Sequence, residues 1–415
     1  MYSSDTPERD VTPIVMEVPE EIASERKRVT IGLPKSQSAS ERRFPLTPEA
    51  VRALACRGFA VKMEHGAAED IHYPDLAYVS AGARMCSRQD ALRADIVIHL
   101  APMSPADIRM LRHGALLLSL ANFNRRQAKE VIRELIERRI INIAIDLVAD
   151  PAGNHPFGDI LSEIDGRSAM TIAASMLADP VSGKGILLGG IAGITPCEVT
   201  ILGSCLAACA AARSAMGLGA MVRLFDDDVY RLRTALRQLG GGVIGSSVHQ
   251  HVLENALRTA DIIIVTDSDR ELPIDGDINR ILKRNVLIFD LSKVPGKAFP
   301  TIQRVDLGEL DRTTCKEATG FCFANDLNNE ERARRRRCFV NPGSTVPRTA
   351  AMALSDTFIT LLSQIADCES AGAALPMTPG LQEATLTFMG KAVNEHVARL
   401  ASMRYTDIRI LLSLS

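Results

Sequence analysis

From residue 29 onward, short apolar runs alternate with longer stretches in which apolar residues recur every three or four positions. VTIGL (29–33), FAVKM (59–63), ADIVIHLA (94–101), ALLLSLA (115–121) and INIAIDL (141–147) are the length of buried strands. TPEAVRALACR and NRRQAKEVIRELIERR carry helical spacing between them, the latter with Asn124 as N-cap. The rhythm pauses at 150–166, passes a helical pattern near SAMTIAASMLAD, and resumes. EVTILG (198–203), MVRLFD (221–226), GVIGSS (242–247), ADIIIVTD (260–267) and NVLIFDLS (285–292) form a second round. An apolar helix is expected at about 347–366, and GLQEATLTFMGKAVNEHVARLA reads as one more helical pattern.

Strand–helix alternation of this kind predicts an α/β protein with mostly parallel sheets covered by helices. We expect two doubly wound domains facing each other across a cleft, the second a Rossmann dinucleotide-binding domain. The expected boundaries are a loose extension over 1–27, a discontinuous first domain of 28–160 plus 350–415, and a second domain of 161–349.

A chain of 415 residues has room for two or three cores. Its formal net charge of −2 gives no electrostatic reason for a nucleic-acid partner or an acidic membrane. The basic run ARRRRC (333–338) follows two glutamates and reads as a solvated charged turn. No apolar stretch reaches the roughly 18 residues of a membrane span, and the acidic start lacks a signal-peptide pattern. Nine cysteines without a CxxC pair point to a reducing compartment, so cytoplasmic localisation is expected, and no metal site is assigned.

The segment ILGSCLAACAAARSAMGLGAMVRLFDDD (201–228) has the outline of a dinucleotide fingerprint. Gly203 supplies the tight first turn, and Ser204, Cys205 and Leu206 follow where a glycine-rich loop would meet the pyrophosphate. Cys205 replaces the glycine that lets backbone approach phosphate, whereas helix N–H groups persist as an anion site whatever the side chain. Asp226 ends the second strand, where a carboxylate binds ribose hydroxyls and favours NAD over NADP. A helix-capping role for Asp226, Asp227 and Asp228 is the plain alternative.

Several segments together resemble the family of alanine dehydrogenase and the cofactor-binding domain of nicotinamide nucleotide transhydrogenase. They are IGLPKSQSASERRFPLTPEAV, LSEIDGR, GKGILLGGIAGITPCEVTILG, MGLGAMVRLFDDDVYRLR and VNPGSTVPRTA. The resemblance implies NAD as cofactor, a small carboxylate-bearing metabolite as ligand, and a homodimer or higher oligomer. It places the carboxylate-binding arginine on Arg43 and the nicotinamide-side asparagine on Asn341, and keeps the strand-end aspartate as Asp290. Three further positions depart from the family. Its substrate lysine falls on Ala101, its catalytic histidine on Asn122, and an aspartate on Val294. His99, two residues before Ala101, and Lys293, beside Val294, are the candidate substitutes. Three functions follow: an alanine dehydrogenase-like oxidoreductase acting on a small amino or oxo acid; a catalytically silent member that binds nucleotide or a small acid; and a soluble transhydrogenase-type cofactor-binding subunit.

Overall fold

A computed structural model describes residues 29–121, 128–180, 183–266, 272–274, 277–309, 336–366, 375–376 and 379–413. The expected N-terminal extension, Asn122, Asn124 and residues 333–335 of the basic run lie outside them. Among the described residues, the chain forms two twisted sheets. The first round gives β1 (Thr30–Leu33), β2 (Ala60–Glu64), β3 (Arg84–Cys86), β4 (Ile96–Ile98), β5 (Leu116–Ser119) and β6 (Ile141–Ala144). These six are parallel neighbours in the order β3-β2-β1-β4-β5-β6. The second round gives β7 (Glu198–Leu202), β8 (Met221–Phe225), β9 (Val243–Ser246), β10 (Ile262–Val265) and β11 (Leu287–Asp290), then β12 (Gln303–Asp306) and β13 (Arg337–Val340). Their sheet runs β9-β8-β7-β10-β11-β13-β12 and is parallel throughout. Both sheets reverse strand order beside their first strand, between β1 and β4 and between β7 and β10. Ligands of open α/β sheets bind at such switch points, outside the carboxyl ends of the strands.

The continuous apolar runs have their physical cause in two-sided burial: all of β4, β5, β10 and β11 is buried. In the first sheet one face packs Ile31, Ile96, Leu116 and Ile143 against Leu54, Leu354 and Phe358. The other packs Val97 and Leu117 beneath Ile108 and Leu135. The two domains also share a local device. ADIVI (94–98) and ADIII (260–264) each carry, as their second residue, an aspartate that caps the first strand of its own sheet. Asp95 accepts from the Thr30 N–H at 3.0 Å, and Asp261 from the Glu198 N–H at 3.2 Å.

The tail corrects the helical reading of 380–401. Helix Pro379–Ala384 stops where Thr385 and Thr387 place β-branched side chains, and the chain becomes β14 (Thr385–Phe388), every residue of it buried. Met389 (φ 48°) and Gly390 (φ 72°) turn it back into β15 (Lys391–Ala392) before helix Glu395–Ala401. β14 pairs antiparallel with β6, so the C-terminal segment completes the first sheet.

Helix Pro156–Ala178, the linker helix, joins the sheets. Its Phe157 and Leu161 enter the first core, while Met170 and Ala173 enter the second. At Gly166 it lies so close to helix Leu206–Gly217 that an added Cβ would sit 2.2 Å from the Ala207 carbonyl oxygen. Gly166→Ala should therefore cost about 2 kcal/mol of unfolding free energy. Gly217→Ala, with nothing within 4 Å of its Cβ, should change it by less than about 1 kcal/mol. Denaturant melts of the two variants check this, and equal values for both would remove the close approach as a constraint.

Candidate functional site

The cofactor-type loop follows β7. Gly203 has φ 98°, the left-handed conformation that the turn requires, and its N–H bonds the Phe225 carbonyl at 2.7 Å. Cys205 is the N-cap of helix Leu206–Gly217 and makes no side-chain cap. The leading N–H groups of that helix therefore stay available to an anion in the way a pyrophosphate uses them. A cavity of about 490 Å³ adjoins the loop, with Asp159, Cys205, Leu206, Tyr230, Arg231 and Gln238 in its wall.

Asp226, just past β8, is 3% exposed and already engaged. It accepts from Ser204 Oγ at 2.5 Å, from the Asp228 N–H at 2.7 Å and from Arg231 Nη2 at 3.1 Å. A ribose that used this carboxylate would exchange with the Ser204 hydroxyl or with Arg231. Asp228 caps helix Val229–Leu239, so the capping role falls to it and the buried position to Asp226. The residues thus fit a dinucleotide: pyrophosphate at the start of helix Leu206–Gly217 and ribose at Asp226.

The opposing wall is the loop after β1. Arg43 is buried, and it donates Nε and Nη2 to Glu41 at 2.8 and 2.6 Å. Its Nη1 stands 3.8 Å from Asp165 of the linker helix. Burial works to depress the Arg43 guanidinium, but Glu41, with Asp165 and Asp146 behind it, outweighs this and holds it above the usual arginine range. Burial in turn raises Asp165 and Asp146 despite Arg43. Asp165 also accepts from the Gly343 N–H at 3.0 Å.

Asn341 adopts the left-handed conformation (φ 57°), and its Nδ2 donates to the Ser40 carbonyl and, at 3.3 Å, to Asp306. Arg42 N–H donates to Ser344 Oγ at 3.0 Å. This asparagine therefore ties the two domains together beside the cleft. Asp290 accepts from Ser292 N–H and Oγ and from Gly296 N–H, so it closes its own loop.

The structure separates the remaining candidates. Lys293 is exposed and acts electrostatically on Asp146, which also feels Arg43. Val294, in the same loop, carries no titratable group. His99 and Ala101 are together, as their two-residue offset implies, but His99 packs beside Arg88 and Asp107 and shows no contact with Arg43. Asp165 and Glu41 escaped sequence reasoning, although both sit inside quoted motifs; only the fold brings Asp165 to Arg43. Among the described residues no cluster of His, Cys, Asp or Glu is placed to hold a metal, and no helix is long and apolar enough to cross a membrane.

Two switch-point sheets, a glycine turn at a helix start and a strand-end acid define a two-domain protein of the dinucleotide-binding α/β class. Residues 32–162 match the description "Alanine dehydrogenase/PNT, N-terminal domain", and residues 169–268 match "Alanine dehydrogenase/PNT, C-terminal domain". The chain belongs to the alanine dehydrogenase/PNT family. Alanine dehydrogenase of Geobacillus stearothermophilus is 29% identical over 389 residues, covering 92% of this chain and 99% of the relative. That of Mycobacterium tuberculosis (strain CDC 1551 / Oshkosh) is 26% identical over 383 residues, covering 91% and 98%. Among solved structures, an L-alanine dehydrogenase superposes with a TM-score of 0.73 at 25% identity, covering 90% of this chain and 99% of the other. A transhydrogenase from Sinorhizobium meliloti, at 18% identity, 0.63 and coverages of 88% and 99%, shares the fold.

Burial first, and then the Arg88 cation, lower the His99 pKa from 6.5 to about 4, with Asp107 opposing in part. A histidine held neutral in the fold contributes stability that is present above its unfolded pKa and lost as pH falls through the folded one. Between pH 6.5 and about 4, urea melts should show the wild type losing more unfolding free energy than His99→Leu. Identical slopes in the two proteins would contradict this.

Proposed function

We propose that this chain is a dinucleotide-binding member of its family that has given up amino-acid oxidation and works as a ligand-binding or regulatory protein. One observation carries the reading: Arg43, the cation that would hold a substrate carboxylate, has two of its donors bound to Glu41. Ala101 and Val294, at the positions where the family resemblance puts a lysine and an aspartate, offer no group to move a proton. Oxidising an amine to an imine needs a carboxylate anchor, a polarising group and an acid/base within hydrogen-bond reach. The nucleotide half retains its parts, with Gly203, Ser204 and Leu206 at the pyrophosphate and Asp226 at the ribose. When bound, NAD would supply hydride transfer; the residues of this chain bind and orient it.

A second reading, an NAD-linked oxidoreductase of a small amino or oxo acid, is favoured by Lys293, whose charge reaches Asp146 beside Arg43. The two readings part in solution. Calorimetric titration of NADH into the full chain should show saturable binding, and NAD reduction over a panel of small amino acids should show no turnover. Turnover with any member of the panel would establish the second reading, and absence of NADH binding would sink both. Cys205→Gly, which removes the side chain from the phosphate position, should tighten NADH severalfold in the same titration.

A further inference from the structure

A cavity of about 500 Å³ lies in the first domain, under helices Pro105–Met110 and Ala128–Glu137. Its mouth is at the β1/β4 switch point, where Gln37, Ser38, Ala101 and Pro102 line it. Its floor is the sheet face shared by His99, Leu117, Ser119 and Asn142. The pairing Ile98↔Leu118, continued by the His99 N–H to the Leu118 carbonyl at 3.0 Å, puts His99 beside Ser119. Leu117 pairs with Asn142 in the adjacent row.

The polar groups on the floor are unusual for their depth. His99 is 4% exposed and Asn142 is 5% exposed. Among the described residues the His99 ring meets no hydrogen-bonding partner. Asn142 accepts from Ser119 Oγ at 2.8 Å, while its amide donors meet none. Buried polar groups are otherwise almost always satisfied, and one left alone costs free energy. Both face a cavity whose other walls include Met103, Ile108, Ile132, Leu135, Leu386 and Val397. Among the described lining residues the one cation is Arg88, and it is engaged: it donates to both Asp107 oxygens at 2.9 Å, to Glu64 at 2.9 Å and to the Lys35 carbonyl at 2.7 Å. Among the described residues lining the chamber, no other cation stands ready to hold an anion.

We propose that this chamber is a second ligand site, taking an uncharged amphipathic small molecule with a hydroxyl or carboxamide head on a hydrocarbon body. The head exchanges hydrogen bonds with His99 and the Asn142 amide, and the body lies among the leucine, isoleucine and methionine side chains. The volume falls within the range of small-molecule pockets, roughly 300–1,000 Å³. The lining includes neither Arg43 nor Asn341, and this site does not rest on the nucleotide-binding reading.

The test uses the full chain and n-octanamide, with n-octanol and octanoate for comparison, near neutral pH. Calorimetry should show one saturable site for octanamide and octanol, tighter than for their four-carbon analogues, and at least about tenfold weaker binding of octanoate. Each of His99→Leu and Asn142→Leu should weaken octanamide by roughly five- to tenfold. Octanamide should also move the His99 ring signals in ¹H–¹⁵N spectra of the unaltered protein, a readout that does not depend on how the variants fold. No saturable binding, octanoate bound as tightly as octanamide, or unmoved His99 signals would each overturn the proposal.

Discussion

The arrangement depends on one buried cation and the acids around it. Arg43 cannot stay charged in a buried loop without compensation, and Glu41 provides it from two residues away. Asp165 adds a second acid from the linker helix, and the same oxygen, Oδ1, accepts from the Gly343 N–H. A loop of the first domain, the helix between the domains and the return loop of the second thus converge on one carboxylate. Gly343 must be glycine for this, since a Cβ there would lie 2.1 Å from Asp165 Oδ1. Taking away Asp165 would therefore disturb electrostatics and domain contact together.

The same cluster shapes the chemistry of the cleft. Three acids around Arg43 make the wall a poor receptor for a further anion, however well the arginine is placed. Across the cleft, the Ser204 hydroxyl and Arg231 already satisfy Asp226. In both halves the candidate recognition groups, Arg43 and Asp226, are bound to residues of this chain. A ligand that used either group would have to exchange with these partners and repay them by new contacts.

Much of the fold was legible because two-sided burial forces continuous apolar runs, as in IIIV of β10 and LIFD of β11. What escaped had no such signature. β3 and β12 are short edge strands reading RMC and QRVD, partly polar because little covers them. β14 sits next to a helix and shares its apolar spacing, and the two threonines were the only local hint. At the site, the family resemblance singled out Arg43 and motif spacing singled out Asp226, but neither pointed to their partners. Glu41 reaches Arg43 through loop geometry, and Asp165 reaches it only after two sheets have formed. Asn142 had the same visible signal as His99, a polar residue interrupting an apolar strand, yet INIAIDL was read for its strand alone.

The seam beside Asn341 carries a consequence for how ligands come and go. Its amide holds the Ser40 carbonyl, Arg42 N–H holds Ser344, and Gly308 lies against Ser40 so tightly that an added Cβ would be 2.3 Å from the Ser40 oxygen. A rigid rotation that widened the cleft would have to break these contacts at once. Movement of the loop after β1 would break them as well, since that loop carries Ser40 and Arg42. The loop that carries Arg43 is thereby coupled to the return loop of the second domain, so a displacement of either is felt by the other.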